Sequence, residues 1–254
     1  MTTLKQPCWI LCTPRTGSSY LCELLNNIGL PTFNHKNMNN NIGPLQYGQT
    51  FNEWCRLYEN FNEFLLEPPL FCKMIHHQLF EVVMNIPKQN RYSPVFYSNK
   101  YNIYDLERFS NNYNAEFFKR ILYPDLKLIL LKRNIIDNAV SIYCSRMTKK
   151  YHIYNKESLE DYHNTPINIC AVKLLEAYND AKMNENIWNS FLENQTFLSI
   201  SYEDLTFKTE FTFNKILNYL NLNLDSKEII KKTNDKQRIF KMTRNDHVNI
   251  KKKL

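Results

Sequence analysis

The run Lys127–Lys132 (KLILLK) constrains the fold of this chain most. It sets four consecutive large apolar side chains between two lysines. Such a run cannot alternate between a dry face and a wet one, so as a strand it is buried on both. Residues 8–13 (CWILCT), 69–75 (PLFCKMI) and 197–202 (FLSISY) read the same way. Between these runs the pattern turns helical. From Ser18 or Ser19 onward, Leu21, Leu24, Leu25 and Ile28 fall at helical spacing, with Gly29 where a C-terminal cap would stand. Ile135, Ile136, Ala139, Val140 and Tyr143 do so directly after the 127–132 run. Val172, Leu175, Ile187, Trp188 and Phe191 predict a long amphipathic helix over about 168–194, and Phe213, Ile216, Leu217 and Leu220 predict another. Buried strands alternating with helices predict an α/β fold with a mainly parallel sheet. Residues 88–114 are polar and aromatic and give no such pattern. At 254 residues the chain is expected to form a single domain, 1–254, able to bury a core without staples.

Composition removes several function classes. Hydrophobic residues at 43% and charged residues at 22% exclude a disordered tail, a collagen-like fibre or a coiled-coil rod. No apolar run reaches the roughly 18 residues of a membrane span. The apolar stretch around Trp9–Cys12 is soon interrupted by Arg15, too little for a secretory signal, so a cytoplasmic protein is expected. Seven cysteines form no C-x-x-C pair, which fits reduced thiols better than disulfides or zinc. The net charge of +7 suits an anionic ligand but is too small and too evenly spread for nucleic acid. Lys251, Lys252 and Lys253 read as a solvated tail.

Chemistry concentrates in the loop Thr13–Ser19 (TPRTGSS), between the first strand and the first helix. A helix N-terminus offers unpaired N–H groups and a partial positive charge, and so receives anions. Gly17 allows close backbone approach, Ser18 and Ser19 add hydroxyls, and Arg15 adds a planar fork of donors. A nucleotide-kinase loop needs G-x-x-x-x-G-K-[ST]. Here the first glycine is missing and Ser18 stands where the lysine belongs, which argues against a P-loop kinase. The bland alternative is a strand-to-helix turn with a serine cap. A second constellation follows the strongest strand: Arg133, and Ser141 eight residues on. Ligands of parallel sheets bind at the carboxyl ends of strands, so this pair would share a crevice with the first loop. The bland readings are a surface salt bridge for Arg133 and a helix-face filler for Ser141.

TPRTGSSYLCELLNNIG resembles the 5′-phosphosulfate loop of the sulfotransferases, and KRNIIDNAVSIY resembles their 3′-phosphate motif. The pattern is similar above all to the bacterial trehalose 2-sulfotransferase-like family of carbohydrate sulfotransferases. Lys73 and Gln78 in KMIHHQ, the YEDL at Tyr202–Leu205 and a late Asn-Asp followed by basic residues are weaker echoes. The resemblance implies a three-layer α/β/α fold related to nucleotide kinases. It implies 3′-phosphoadenosine 5′-phosphosulfate (PAPS) as donor. Arg15, Thr16, Gly17, Ser18 and Ser19 would hold the 5′-phosphosulfate; Arg133 and Ser141 would hold the 3′-phosphate; Lys236 or Arg238 could assist. No metal is demanded. A carbohydrate, glycolipid or small-metabolite acceptor follows, and, because related sugar enzymes are often dimers, a homodimer.

Sulfonyl transfer needs in-line positioning and charge stabilisation, for which Arg15 and the loop N–H groups are suited. A base on the acceptor hydroxyl adds about 10²–10⁴-fold. The sugar-modifying family places a Glu shortly after the first helix, but no Asp or Glu occurs between Leu24 and Asn52. Lys36 falls on that position, with His35 beside it. A lysine is a poor base unless its pKa is strongly lowered, whereas imidazole titrates near neutrality. His35 is therefore one candidate base. His76 and His77, near Lys73 on the second strand, are the others, by likeness to sulfotransferases that pair a His with a Lys there. A catalytically weak homologue that only binds the nucleotide is the alternative that needs no base.

Overall fold

The computed structural model describes residues 7–28, 62, 65, 71–75, 80, 112–150, 156–231, 233 and 250–252. Its frame is a four-stranded sheet of β1 (Cys8–Cys12), β2 (Phe71–Ile75), β3 (Lys127–Lys132) and β4 (Leu198–Ser201). The spatial order is β2-β1-β3-β4 and every pairing is parallel. The described helices are α1 (Ser18–Asn26), α2 (Ala115–Ile121), α3 (Ile135–Thr148), α4 (Lys156–Asn164), α5 (Ala171–Phe191), α6 (Tyr202–Phe207) and α7 (Thr209–Tyr219).

The sheet is dry on both faces, as its unbroken apolar runs require. Trp9, Leu11, Leu128 and Leu130 point to one side, against Phe118 of α2 and Ile187, Trp188 and Phe191 of α5. Cys8, Ile10, Cys12, Ile129, Leu131 and Ile200 point to the other. There they meet Leu21, Leu24 and Leu25 of α1 and Phe213, Ile216 and Leu217 of α7. Helices on both faces make three layers, the expected architecture. Among the described residues Cys8, Cys12, Cys22, Cys144 and Cys170 are free thiols. Burial raises the Cys8 thiol far above its ordinary range, and the charge of Lys127 opposes this. No described helix is long and apolar enough to cross a membrane.

Two features position the functional edge. The chain steps from β1 to β2 on one side, then crosses to β3 on the other. The order therefore switches between β1 and β3, where parallel sheets open a crevice at their carboxyl ends. The register aligns Cys12 with Leu131, so the loop after β1 and the residues after β3 leave the sheet side by side. α3 is then held from behind by α5 through small residues. Ala139, Val140 and Tyr143 pack with Leu174, Ala177 and Ala181. Arg146 also pairs with the buried Asp180.

Several expectations are corrected. Val172 and Leu175 are 67% and 55% exposed, not core. The stripe of α5 that packs inward instead carries Leu174, Ala177, Ala181, Asn184 and Trp188, including small and polar residues that an apolar count passes over. Lys251 and Lys252 are exposed, as expected of a solvated end, but Lys251 also has a partner: its Nζ lies 2.7 Å from Asp137 Oδ1, and the preceding Ile250 is fully buried. Tyr202 does not end a strand but opens α6, whose cap is Ser201 accepting from the Asp204 N–H at 2.9 Å. The helix expected around Phe213 is preceded by this short one, the break falling at the non-helical Lys208 (φ −123°, ψ 45°). α2 and α4 were not read from the sequence.

Candidate active site

The loop after β1 folds on itself before it meets any ligand. Thr16 is fully buried, and its hydroxyl donates to the Thr13 carbonyl at 2.8 Å. Thr16 thus shapes the loop with its side chain and leaves its backbone for binding. Gly17 has φ +80°. Its carbonyl accepts from the N–H groups of Tyr20 and Leu21 at 3.0 and 3.1 Å, which makes Gly17, not a serine, the N-cap of α1. Ser18 is nearly buried at the first helical position.

Arg15 is also left-handed, with φ 66°, a backbone that non-glycine residues enter at a cost of about 1–2 kcal/mol. The turn aims its side chain back over the sheet edge, where Nε donates to Ser141 Oγ at 3.3 Å. Arg133 approaches from β3, and its Nη1 donates to the Arg15 carbonyl at 2.9 Å. The structure therefore brings Arg15, Arg133 and Ser141 together from positions 118 and 126 residues apart. Burial lowers the Arg15 guanidinium from its ordinary value; Tyr162 opposes this and Arg133 adds to it. An arginine stays protonated even so.

Three residues that the sequence reading left without a role complete the site. The Tyr202 ring lies under the Arg133 guanidinium, 4.2 Å from ring centre to Cζ, within cation–π range. The same ring covers Gly17: a Cβ there would fall 2.6 Å from Tyr202 Cδ2. Burial raises the Tyr202 phenol, against the pull of Arg133 and Arg15, so it stays protonated at neutral pH. Asn138, on the buried face of α3, donates from Nδ2 to Thr13 Oγ1 at 2.9 Å. Trp188 donates from Nε1 to the Cys12 carbonyl at 3.0 Å. YEDL was the signal for Tyr202. For Asn138 it was a polar residue between Ile135, Ala139 and Tyr143 on an apolar helix. Asn138→Ala is expected to lower stability by about 1 kcal/mol, the usual worth of one such bond. This would be read as a fall of about 2–4 °C in the melting midpoint.

Thr13, Arg133, Asn138, Glu185 and Trp188 line a cleft at this edge. Arg133 Nε is buried and has no hydrogen-bond partner among the described residues. A buried donor of this kind is costly unless a ligand, or water, accepts from it. The arrangement suits an anion seated on the N-terminus of α1 and reaching α3.

A model of the sulfotransferase family matches residues 7–226. The chain belongs to the sulfotransferase family. The match takes in every strand and helix from β1 through α7. Two solved structures are similar to this sulfotransferase. The sulfotransferase domain from the curacin biosynthetic pathway is 16% identical, over 88% of this chain and 76% of that one, with a TM-score of 0.39. The sulfotransferase domain from the Synechococcus PCC 7002 olefin synthase is 15% identical, over 97% of this chain and 93% of that one, also at 0.39. No curated protein matches the sequence significantly. In this sulfotransferase Lys73 lies in β2 opposite Ile10. The candidate bases His35, His76 and His77, together with Lys36, Gln78, Lys236 and Arg238, lie outside the described residues. Ser19 is the second residue of α1.

Proposed function

We propose that this sulfotransferase moves a sulfonate group from PAPS to a hydroxyl of a carbohydrate, glycolipid or small metabolite, as a cytoplasmic, single-domain enzyme. The observation that carries this reading is the joining of Arg15, Arg133 and Ser141 at the switch point of the sheet, with the Arg133 Nε donor left over. A ligand with two anionic groups matches two cationic grips. In this reading the N–H groups at the start of α1, with Arg15, take the 5′-phosphosulfate. Arg133, through the Nε left over while its Nη1 stays on the loop, and Ser141 take the 3′-phosphate. Each charge-assisted bond gained contributes about 1.5–3 kcal/mol.

The acceptor oxygen then attacks sulfur in line, forming one S–O bond as the bond to the 5′-phosphate oxygen breaks. The leaving group is 3′-phosphoadenosine 5′-phosphate. Arg15 stands where charge accumulates on the leaving oxygens, and stabilising it there lowers the barrier. The acceptor proton goes to a base, for which His35, His76 and His77 are the candidates. The test is calorimetric titration with 3′-phosphoadenosine 5′-phosphate, adenosine diphosphate and ATP, without acceptor. Selective binding of the first supports the donor assignment. A preference for ATP, or no binding, overturns it.

A further inference from the structure

Asp137 stands in the first turn of α3, four residues after Arg133 and four before Ser141. A carboxylate there suits the helix, whose N-terminal dipole end is positive. It does not suit a phosphate bound beside it. Its charge reaches the site: besides burial, which acts most on the Tyr202 phenol, that phenol feels Arg133, Arg15, Glu203 and Asp137. Lys251 answers this charge across the chain, 2.7 Å from Asp137 Oδ1. The contact is anchored. Residues 250 and 251 are helical, and Ile250 is fully buried in one cluster with Ala139, Val140 and Tyr143 of α3. An apolar side chain thus fixes where the adjacent ammonium can sit.

We infer that Lys251 is an electrostatic positioning residue of the nucleotide site: docked through Ile250, it cancels Asp137 and leaves the charge of Arg15 and Arg133 to an anionic ligand. The inference rests on the donor reading above. It predicts that Lys251 acts on the site without touching the ligand.

The experiment is calorimetry with 3′-phosphoadenosine 5′-phosphate on the full chain and on Lys251→Met, Asp137→Asn and the double variant. Methionine keeps the apolar stem and removes the charge. Lys251→Met is expected to weaken binding about three- to tenfold at low salt, less as salt screens the pair. Asp137→Asn alone binds as tightly as the unsubstituted chain or tighter. The double variant is expected to bind within about twofold of the unsubstituted chain, because removing both members of a neutral pair leaves the net charge beside the site unchanged. Unchanged affinity in Lys251→Met overturns the inference. So does a loss in Lys251→Met that is as large at high salt as at low, which would assign Lys251 to packing alone. If the unsubstituted chain binds no 3′-phosphorylated nucleotide, the donor reading itself fails.

Discussion

Arg133→Ala is expected to weaken 3′-phosphoadenosine 5′-phosphate by about 10- to 150-fold, the loss of one charge-assisted contact of roughly 1.5–3 kcal/mol. Adenosine diphosphate, which lacks the 3′-phosphate, is expected to lose only severalfold. It is not expected to lose nothing, because Arg133 also donates to the Arg15 carbonyl and so helps hold the loop after β1. That bond is charged on one side only and exchanges for water when broken, so its net worth is smaller than that of a phosphate contact. Arg133→Lys should fall between, since it keeps the charge but not the fork that reaches both the loop and a phosphate. Parallel titrations of the two nucleotides decide the matter. Equal losses would remove the 3′-phosphate from Arg133 and reduce it to a loop brace.

Gly17→Ala is the second large effect, and it acts through the backbone. The left-handed conformation at φ +80° costs an alanine about 1–2 kcal/mol. The added methyl also meets the Tyr202 ring at 2.6 Å, near the base of the ring and not at a flexible tip. The ring must turn away, and with it goes the face that Arg133 rests on at 4.2 Å. Nucleotide affinity is therefore expected to fall tenfold or more, beyond what the strain alone explains. The melting midpoint should drop about 2–8 °C, at 2–4 °C per kcal/mol for a chain of this size. Tyr202→Ala in the same chain should restore part of the melting midpoint, because the overlap is gone while the strain remains, but not the affinity, because the face under Arg133 goes with the ring. Full affinity in Gly17→Ala would show that the ring's place over the glycine does not matter.

What could be read in advance follows from what each residue must satisfy. The strands were legible because a strand dry on both faces has no choice but an unbroken apolar run, as at Leu128–Leu131. The meeting of Arg15 with Arg133 and Ser141, and the turn at Gly17, were legible because residues after neighbouring parallel strands leave the sheet side by side. Asn138 was not, since its purpose is a bond to Thr13, 125 residues away, and nothing local announces a partner so distant. Val172 and Leu175 misled because apolar spacing gives a stripe without saying which stripe faces inward. Lys251 is exposed as a lysine among lysines should be, but its pairing with Asp137 was not legible, because nothing local marks its neighbour Ile250 as an anchor.

The twist of the backbone at Arg15 bears on how such a protein drifts or is improved. A glycine there would relax the backbone by about as much as its own added freedom when unfolded costs, and would lose the bond to Ser141. A selection that rewards only heat resistance would therefore guard this position weakly. If Arg15 grips the donor as proposed above, a selection that rewards turnover is what keeps a guanidinium on a backbone that does not favour it.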